Sequence, residues 1–390
     1  MGREQRFLTW AEIDRKAIKY NLQALRKLTE RNRFVLPNRE TLKNIFAQPQ
    51  YILSVIKANA YGHGVAEVSR LLDQAGVGFF GVSDVSEGIQ LRELGITKPV
   101  LLFESTLAEF AKDMVHYQLM PAVCSLRLAR SLNRYAASMN RKMDIHILVD
   151  TGMGRLGIWH EEAFDFIKQI FRMRNLRPMG IFTHFPAADT DKKFTRQQIH
   201  DLHALITQLD KAGMIIPYIH AANSMGLAGY KTRILNLARP GLMLYGLYPH
   251  DSLRKQIRLK PAMTVKSRII FLKNVRKGRS ISYGRSFFTQ RNMKIATLPI
   301  GYNDGYLRIL SNRAHVLVHG QKCPVIGRVT MDQIMIDVTS VKNVRLNSTV
   351  VLLGEQRGDS ITADELAHHA RTINYEIVCS LGNRLPKLYK

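Results

Sequence analysis

Between about residues 51 and 246, short apolar runs alternate with stretches of helical periodicity, and this alternation narrows the choice of fold more than any other feature of the chain. Strand-like runs fall at 51–57, 79–84, 99–103, 144–150, 180–185, 217–221 and 235–239, with a weaker one at 120–124. Helix-like stretches such as 67–75, 86–94, 161–173 and 196–211 separate them. Parallel neighbours need a crossover connection and a helix supplies it, so repeated strand–helix units predict a parallel sheet with helices outside. Eight such units predict a closed (β/α)8 barrel of the TIM type. The competing open, doubly wound sheet carries a Gly-rich dinucleotide turn after its first strand, and that turn is missing.

After about residue 255 the texture changes. Short β-like runs at 265–272, 294–299, 314–318, 333–339 and 350–353 are punctuated by turns such as Lys277-Gly278 and His319-Gly320. They predict a smaller, mostly β domain. The expected division is a barrel over 1–255 and a β-rich domain over 256–390, with the first strand of the chain left open to joining the β-domain. The segment 32–50, with Pro37 and Pro49, reads as an insertion or long loop.

Composition excludes several classes. A chain of 390 residues, 46% hydrophobic, has material for a large core and exceeds the usual single domain. No apolar run reaches the ~18–20 residues of a membrane span, and the first residues read as lacking a signal peptide. Cys124, Cys323 and Cys379 are isolated, which argues against a disulfide framework and for a reducing, cytoplasmic compartment. No Cys/His spacing points to zinc or another metal. The net charge of +26 permits attraction to polyanions. However, the basic residues are spread over helix-like segments, and no nucleic-acid signature accompanies them. Neither a nucleic acid nor a membrane is an expected partner.

The chemistry gathers at strand ends. Lys57 closes the first apolar run, where an amine is costly unless it is used. Schiff-base formation with a carbonyl cofactor is one such use, while a surface lysine with its stem over apolar groups is the plainer reading. Asp150 with Arg155 beyond it, His184, Asn223 with Ser224, and Arg239 also fall at or just past the ends of strand-like runs. In a (β/α)8 barrel that is the reactive rim. Taken singly, His184 reads as a satisfied core group and Asn223-Ser224 as a helix N-cap. Together with Arg239-Pro240-Gly241-Leu242, the Asn223-Ser224 pair offers hydroxyls and N–H groups suited to a phosphate.

These residues stand within longer runs. Thr9-Trp10-Ala11-Glu12-Ile13-Asp14 opens the chain, and Lys57-Ala58-Asn59-Ala60-Tyr61-Gly62-His63-Gly64 follows the insertion. Asp150-Thr151-Gly152-Met153-Gly154-Arg155, Thr183-His184-Phe185, Ala222-Asn223-Ser224 and Arg239-Pro240-Gly241 come next. Ser282-Tyr283-Gly284, Gly301-Tyr302-Asn303-Asp304-Gly305, Met331-Asp332-Gln333 and Asn374-Tyr375-Glu376 complete the set. In this order and over nearly the whole length, the chain resembles alanine racemases of the pyridoxal-phosphate, barrel-plus-β-domain type.

The resemblance implies a two-base racemisation of L- and D-alanine. Lys57 would hold pyridoxal phosphate and exchange the proton on the D-face, and Tyr283 from the second subunit of a homodimer would serve the L-face. A tyrosine base must act as phenolate, and lowering a phenol from roughly 10 to ~7–8 takes about 3–4 kcal/mol of local electrostatics. His184 and Arg239 are implied to supply part of it. Arg239 would face the ring nitrogen of the cofactor. Tyr61, Asn223, Ser224, Gly241, Leu242 and Tyr375 would hold the cofactor and its phosphate. Arg155 and the Met331 backbone would bind the substrate carboxylate, with Tyr302 and Asp332 in support. D-alanine for peptidoglycan is the implied role. In one respect the chain departs from the family: where many members carry a carbamylated lysine that orients the arginine, it has Leu148. A racemase of broader range or for serine is the nearest alternative. A non-catalytic pyridoxal-phosphate protein is more distant, because such carriers lack the β-domain.

Overall fold

The computed structural model describes residues 6–31, 52–230 and 234–390. The expected insertion at 32–50 lies outside the described residues. Seven parallel strands, Leu53–Val55, Phe79–Val82, Val100–Leu102, Met120–Val123, Met143–Asp150, Leu176–Phe182 and Tyr218–His220, pair in chain order. Helices between them, such as Val65–Gln74, Val85–Glu93, Ala163–Phe171 and Lys192–Lys211, cover the outside.

The eighth expected strand does not form a regular ladder. It closes the ring through one bridge, Ile52 to Ala238, and through backbone hydrogen bonds. Leu53 N–H donates to Ala238 O at 2.8 Å and Val55 N–H to Pro240 O at 3.0 Å. On the other side Arg239 N–H donates to Ala222 O at 2.8 Å. The irregularity has two causes. Pro240 has no N–H to give, and the Asn236 side chain takes over backbone pairing, accepting from Ile219 N–H and donating to Pro217 O, both at 2.8 Å.

The second sheet is mostly antiparallel. Its order is Phe271–Val275, Met293–Leu298, Ile334–Asp337, Gln321–Ile326, His315–Val318, Thr349–Gln356, Met263–Arg268, Thr9–Ile13 and Lys387–Tyr389. The first strand of the chain therefore lies in this sheet, antiparallel to Met263–Arg268, with Trp10 buried. The run expected at 265–272 divides in two. It breaks at Ile269-Ile270, where the chain switches neighbours: Ile269 N–H reaches Ser348 O and Ile270 N–H reaches Thr297 O. The strand Gln321–Ile326 is not legible in the sequence, because Pro324 argues against a central strand.

One apolar core runs through both halves. A separate small cluster of Ala122, Leu148 and Phe182, flanked by Phe103 and Cys124, sits near the barrel mouth. Among the described residues no helix is long and apolar enough to cross a membrane.

Candidate active site

The strand Leu53–Val55 stops before Lys57, and the next residues turn the wrong way for L-amino acids. Ala58, Asn59, Ala60 and Tyr61 have φ of 52°, 53°, 55° and 53°. Each left-handed residue costs roughly 1–2 kcal/mol, so the surroundings must hold the turn. Glu87 does much of this: Oε1 accepts Ala58 N–H and Oε2 accepts Ser83 N–H, both at 2.7 Å. Asn59 Oδ1 accepts Val65 N–H at 2.8 Å. His63 lies below, its Nδ1 at 2.9 Å from Tyr61 O and 3.1 Å from Ala60 O, its ring stacked on Tyr245. The result points Lys57 and Tyr61 into one cavity of about 340 Å³ at the C-terminal mouth of the barrel. Burial, and then the charge of Arg155, hold the Lys57 amine below its usual range, against the pull of Glu87 and Glu104. The neutral amine is the form that attacks a carbonyl, and a lowered pKa favours it.

Asn223, Ser224, Gly241, Leu242 and Tyr375 line the same cavity. Asn223 caps the helix Ser224–Gly229 through Gly226 N–H at 2.9 Å, and Ser224 Oγ accepts Gly241 N–H at 3.4 Å. A Cβ on Gly241 would come within 2.3 Å of Tyr61 Oη. Only glycine allows the backbone this close, and the approach leaves hydroxyls and N–H groups converging on one corner. Burial pushes the Tyr375 phenol up to about 12, so it stays a donor.

Arg239 is buried beneath the cavity. Nη1 donates to His220 Nδ1 at 2.8 Å, and Nη2 donates to Thr183 O at 2.9 Å and Ala221 O at 3.1 Å. His184 Nδ1 lies 3.4 Å from Nη2. Phe182 and Phe103 face the guanidinium at 5.3 and 5.9 Å from their ring centroids. Burial lowers Arg239 to about 9, which leaves it charged at neutral pH. Burial and the neighbouring Arg239, Arg155 and Lys57 hold His184 down at about 3, so its ring is neutral.

Arg155 reaches the cavity from a loop that Asp150 shapes. Oδ1 of Asp150 accepts Gly152 and Met153 N–H and Oδ2 accepts Gly154 N–H, all at 2.8 Å. Asp150 is thus spent on the loop. Leu148 lines the cavity beside Arg155 but packs with Phe182 and Ala122, so its place offers neither charge nor acceptor.

Tyr283, Tyr302, Met331 and Asp332 are not in this cavity. They lie together on the β-domain surface, with Tyr283 71% and Met331 52% exposed. Three hydrogen bonds tie their segments: Ser282 Oγ to Arg328 O at 2.6 Å, Tyr302 N–H to Thr330 O at 3.0 Å, and Asn303 N–H to Met331 O at 3.1 Å. Glu87, His220 and His146 escape a reading of the sequence. Glu87 has one signal there, its place three residues after the N-cap Asp84, whose Oδ1 accepts Glu87 N–H at 2.9 Å. The histidines have none, because strands distant in sequence bring them together.

The cavity suits a phosphorylated carbonyl compound: an amine at one end, an anion corner at the other, and a fixed cation below. A barrel rim of this kind, followed by a β-domain, defines the class of pyridoxal-phosphate enzymes with barrel-plus-β-domain architecture. The profile "Alanine racemase, N-terminal domain" matches residues 35–249 and "Alanine racemase, C-terminal domain" matches 262–389. An alanine racemase of Halothermothrix orenii is 43% identical over 383 residues, covering 98% of this chain and 97% of that protein. The solved alanine racemase of Clostridium difficile 630 superposes with a TM-score of 0.88 at 34% identity, covering 98% of this chain and 96% of the other. A histidine racemase of Leuconostoc mesenteroides superposes at 0.84 with 26% identity, covering 98% of each. The chain belongs to the alanine racemase family, whose cofactor is pyridoxal phosphate.

Proposed function

We propose that this chain interconverts L- and D-alanine with pyridoxal phosphate, as a cytoplasmic homodimer that feeds D-alanine to peptidoglycan. The observation that carries the reading is Lys57: an amine of lowered basicity on a strained turn, facing both Arg155 and the anion corner. Lys57 anchors the cofactor. Tyr61, Ser224, Gly241, Leu242 and Tyr375 would hold its phosphate, with Asn223, His184 and Arg239 binding it as well. When bound, pyridoxal phosphate makes the substrate Cα–H acidic by delocalising the electron pair left behind.

The chain's own groups then decide where protons go. Arg239 would face the ring nitrogen and, being charged, could not readily give that nitrogen a proton, which would disfavour transamination. The Lys57 amine takes or returns a proton on one face of Cα. Tyr283 of the partner serves the other face, since racemisation needs a base on each side. Arg155 and the Met331 backbone bind the substrate carboxylate, and Asp332 supports that loop. The exposure of Tyr283 and Met331 on their own chain supports a shared site, because neither reaches the cavity of its own barrel. In this reading the division falls near residues 255–256, with the strand Thr9–Ile13 serving the second unit.

A second reading is a racemase of broader range, serine included, and the likeness to a histidine racemase keeps it in play. Tyr375 on the cavity wall, with Tyr302 brought by the partner subunit as Tyr283 is, would narrow the pocket and favour a small side chain. Exchange of the α-proton in heavy water, surveyed across amino acids, tests the choice: alanine should exchange fastest, and a faster amino acid would move the assignment.

A further inference from the structure

Outside the cavity, one group of side chains has no part in the chemistry above. His315 on the strand His315–Val318 and Glu365 and His369 on the helix Ala363–Ala370 bring one ligand atom each to within 4.8 Å of one another. All three residues are half-buried. Glu365 and His369 stand one turn apart and therefore share a helix face. Lys322 pairs with Leu317, so its side chain and that of His315 project from the same face of the sheet, towards the helix.

We propose that His315, Glu365 and His369 form a binding site for a divalent metal ion of the zinc class, clipping the helix Ala363–Ala370 to the β-sheet. Two imidazole nitrogens and one carboxylate oxygen suit zinc, cobalt or nickel rather than magnesium or calcium, which take oxygen ligands. Three protein ligands leave a fourth tetrahedral position for water. Metal–ligand bonds of about 2.0–2.2 Å put tetrahedral ligand atoms roughly 3.4 Å apart. The three groups must therefore close from within 4.8 Å by up to about 1.4 Å, which side-chain torsions at half-buried positions allow. The sequence shows no zinc spacing here because His315 lies 50 residues before Glu365.

A plainer account exists. Lys322 Nζ donates to both oxygens of Glu365, at 3.1 and 3.3 Å, as an ordinary half-exposed ion pair. That ammonium competes with a metal for the same carboxylate, so the two accounts differ at Lys322. A metal site gains affinity when the competitor is removed. An ion pair without a metal site gains none.

The test uses untagged holoenzyme in phosphate-free buffer, titrated with Zn2+ by calorimetry and with Co2+ by its visible absorption. One ion per chain should bind saturably. His315→Ala and His369→Ala should each weaken binding at least tenfold, Glu365→Gln should do the same, and Lys322→Met should tighten it several-fold. Zn2+ should raise the melting temperature of the parent but not of the His315→Ala, His369→Ala double variant. No saturable binding at one equivalent, or binding that all these variants leave unchanged, overturns the proposal. Neither result bears on alanine racemisation, since none of these residues lines the cavity.

Discussion

Arg239 donates from Nη1 to Nδ1 of His220 at 2.8 Å, and this one bond orders the protons of the rings beneath it. A guanidinium cannot accept, so His220 accepts at Nδ1 and carries its proton on Nε2. That proton goes to His146 Nδ1, also at 2.8 Å. His146 is left with its proton on Nε2, which has no hydrogen-bond partner among the described residues. Both rings stay neutral: burial, then the charge of Arg239, hold His146 down at about 3 and His220 well below the usual imidazole range. The positive charge thus remains on Arg239, under the cavity.

This has a consequence for acid stability. Burial also holds His63 at about 4 and His184 at about 3. The unfolded chain protonates such rings near 6.5 while the folded chain refuses the proton. Their stabilisation is complete above about pH 6.5 and is lost as pH falls from there towards 3–4, with a limiting slope of about 1.4 kcal/mol per pH unit for each ring. Urea midpoints should fall steadily from pH 7 to 4.5. His146→Gln, which keeps an acceptor for His220 and removes one titrating ring, should flatten the slope.

Glu87 should matter more than its distance from Lys57 in sequence implies. Glu87→Ala strips the acceptor from two N–H groups, one of them in the left-handed turn. A stability loss of about 1–3 kcal/mol is expected, together with weaker cofactor loading, read by melting temperature and by absorbance of the purified protein. Glu87→Gln, which keeps one acceptor oxygen, should lie between.

At Gly241 any side chain meets Tyr61 Oη. Gly241→Ala should raise the dissociation constant for pyridoxal phosphate at least tenfold, about 1.4 kcal/mol, in titrations of the apoenzyme. Fold stability should change little by comparison, because Tyr61 can shift its ring. Unchanged cofactor affinity would remove the phosphate role from this corner.

Leu148 predicts independence from dissolved CO2. It packs in an apolar cluster and has no amine to carbamylate. Racemisation in buffer stripped of CO2 should match that in bicarbonate. A marked loss on stripping, restored on adding bicarbonate back, would show that another group carries a carbamate.

Much of the site is legible in the order of residues along the chain. Lys57, His184, Ser224 and Arg239 are expected at strand ends, and all of them line one cavity. They meet because a barrel sends its strand ends to one rim, so order along the chain becomes proximity in space. Asp150 is expected there too but is spent on shaping its loop. The eighth strand is expected over 235–239, and Pro240 with the Asn236 side chain leaves it without a regular ladder.

By itself the sequence determined the alternation of elements, the change of texture near residue 255 and the motifs that mark the family. These are local patterns, set by periodicity and residue chemistry. Only the tertiary structure decided that Glu87 steadies the turn after Lys57, that His146 and His220 stand under Arg239, and that Tyr283 stays outside its own barrel. Each of these depends on which distant strands become neighbours, and on how burial shifts charge between groups that no spacing along the chain relates.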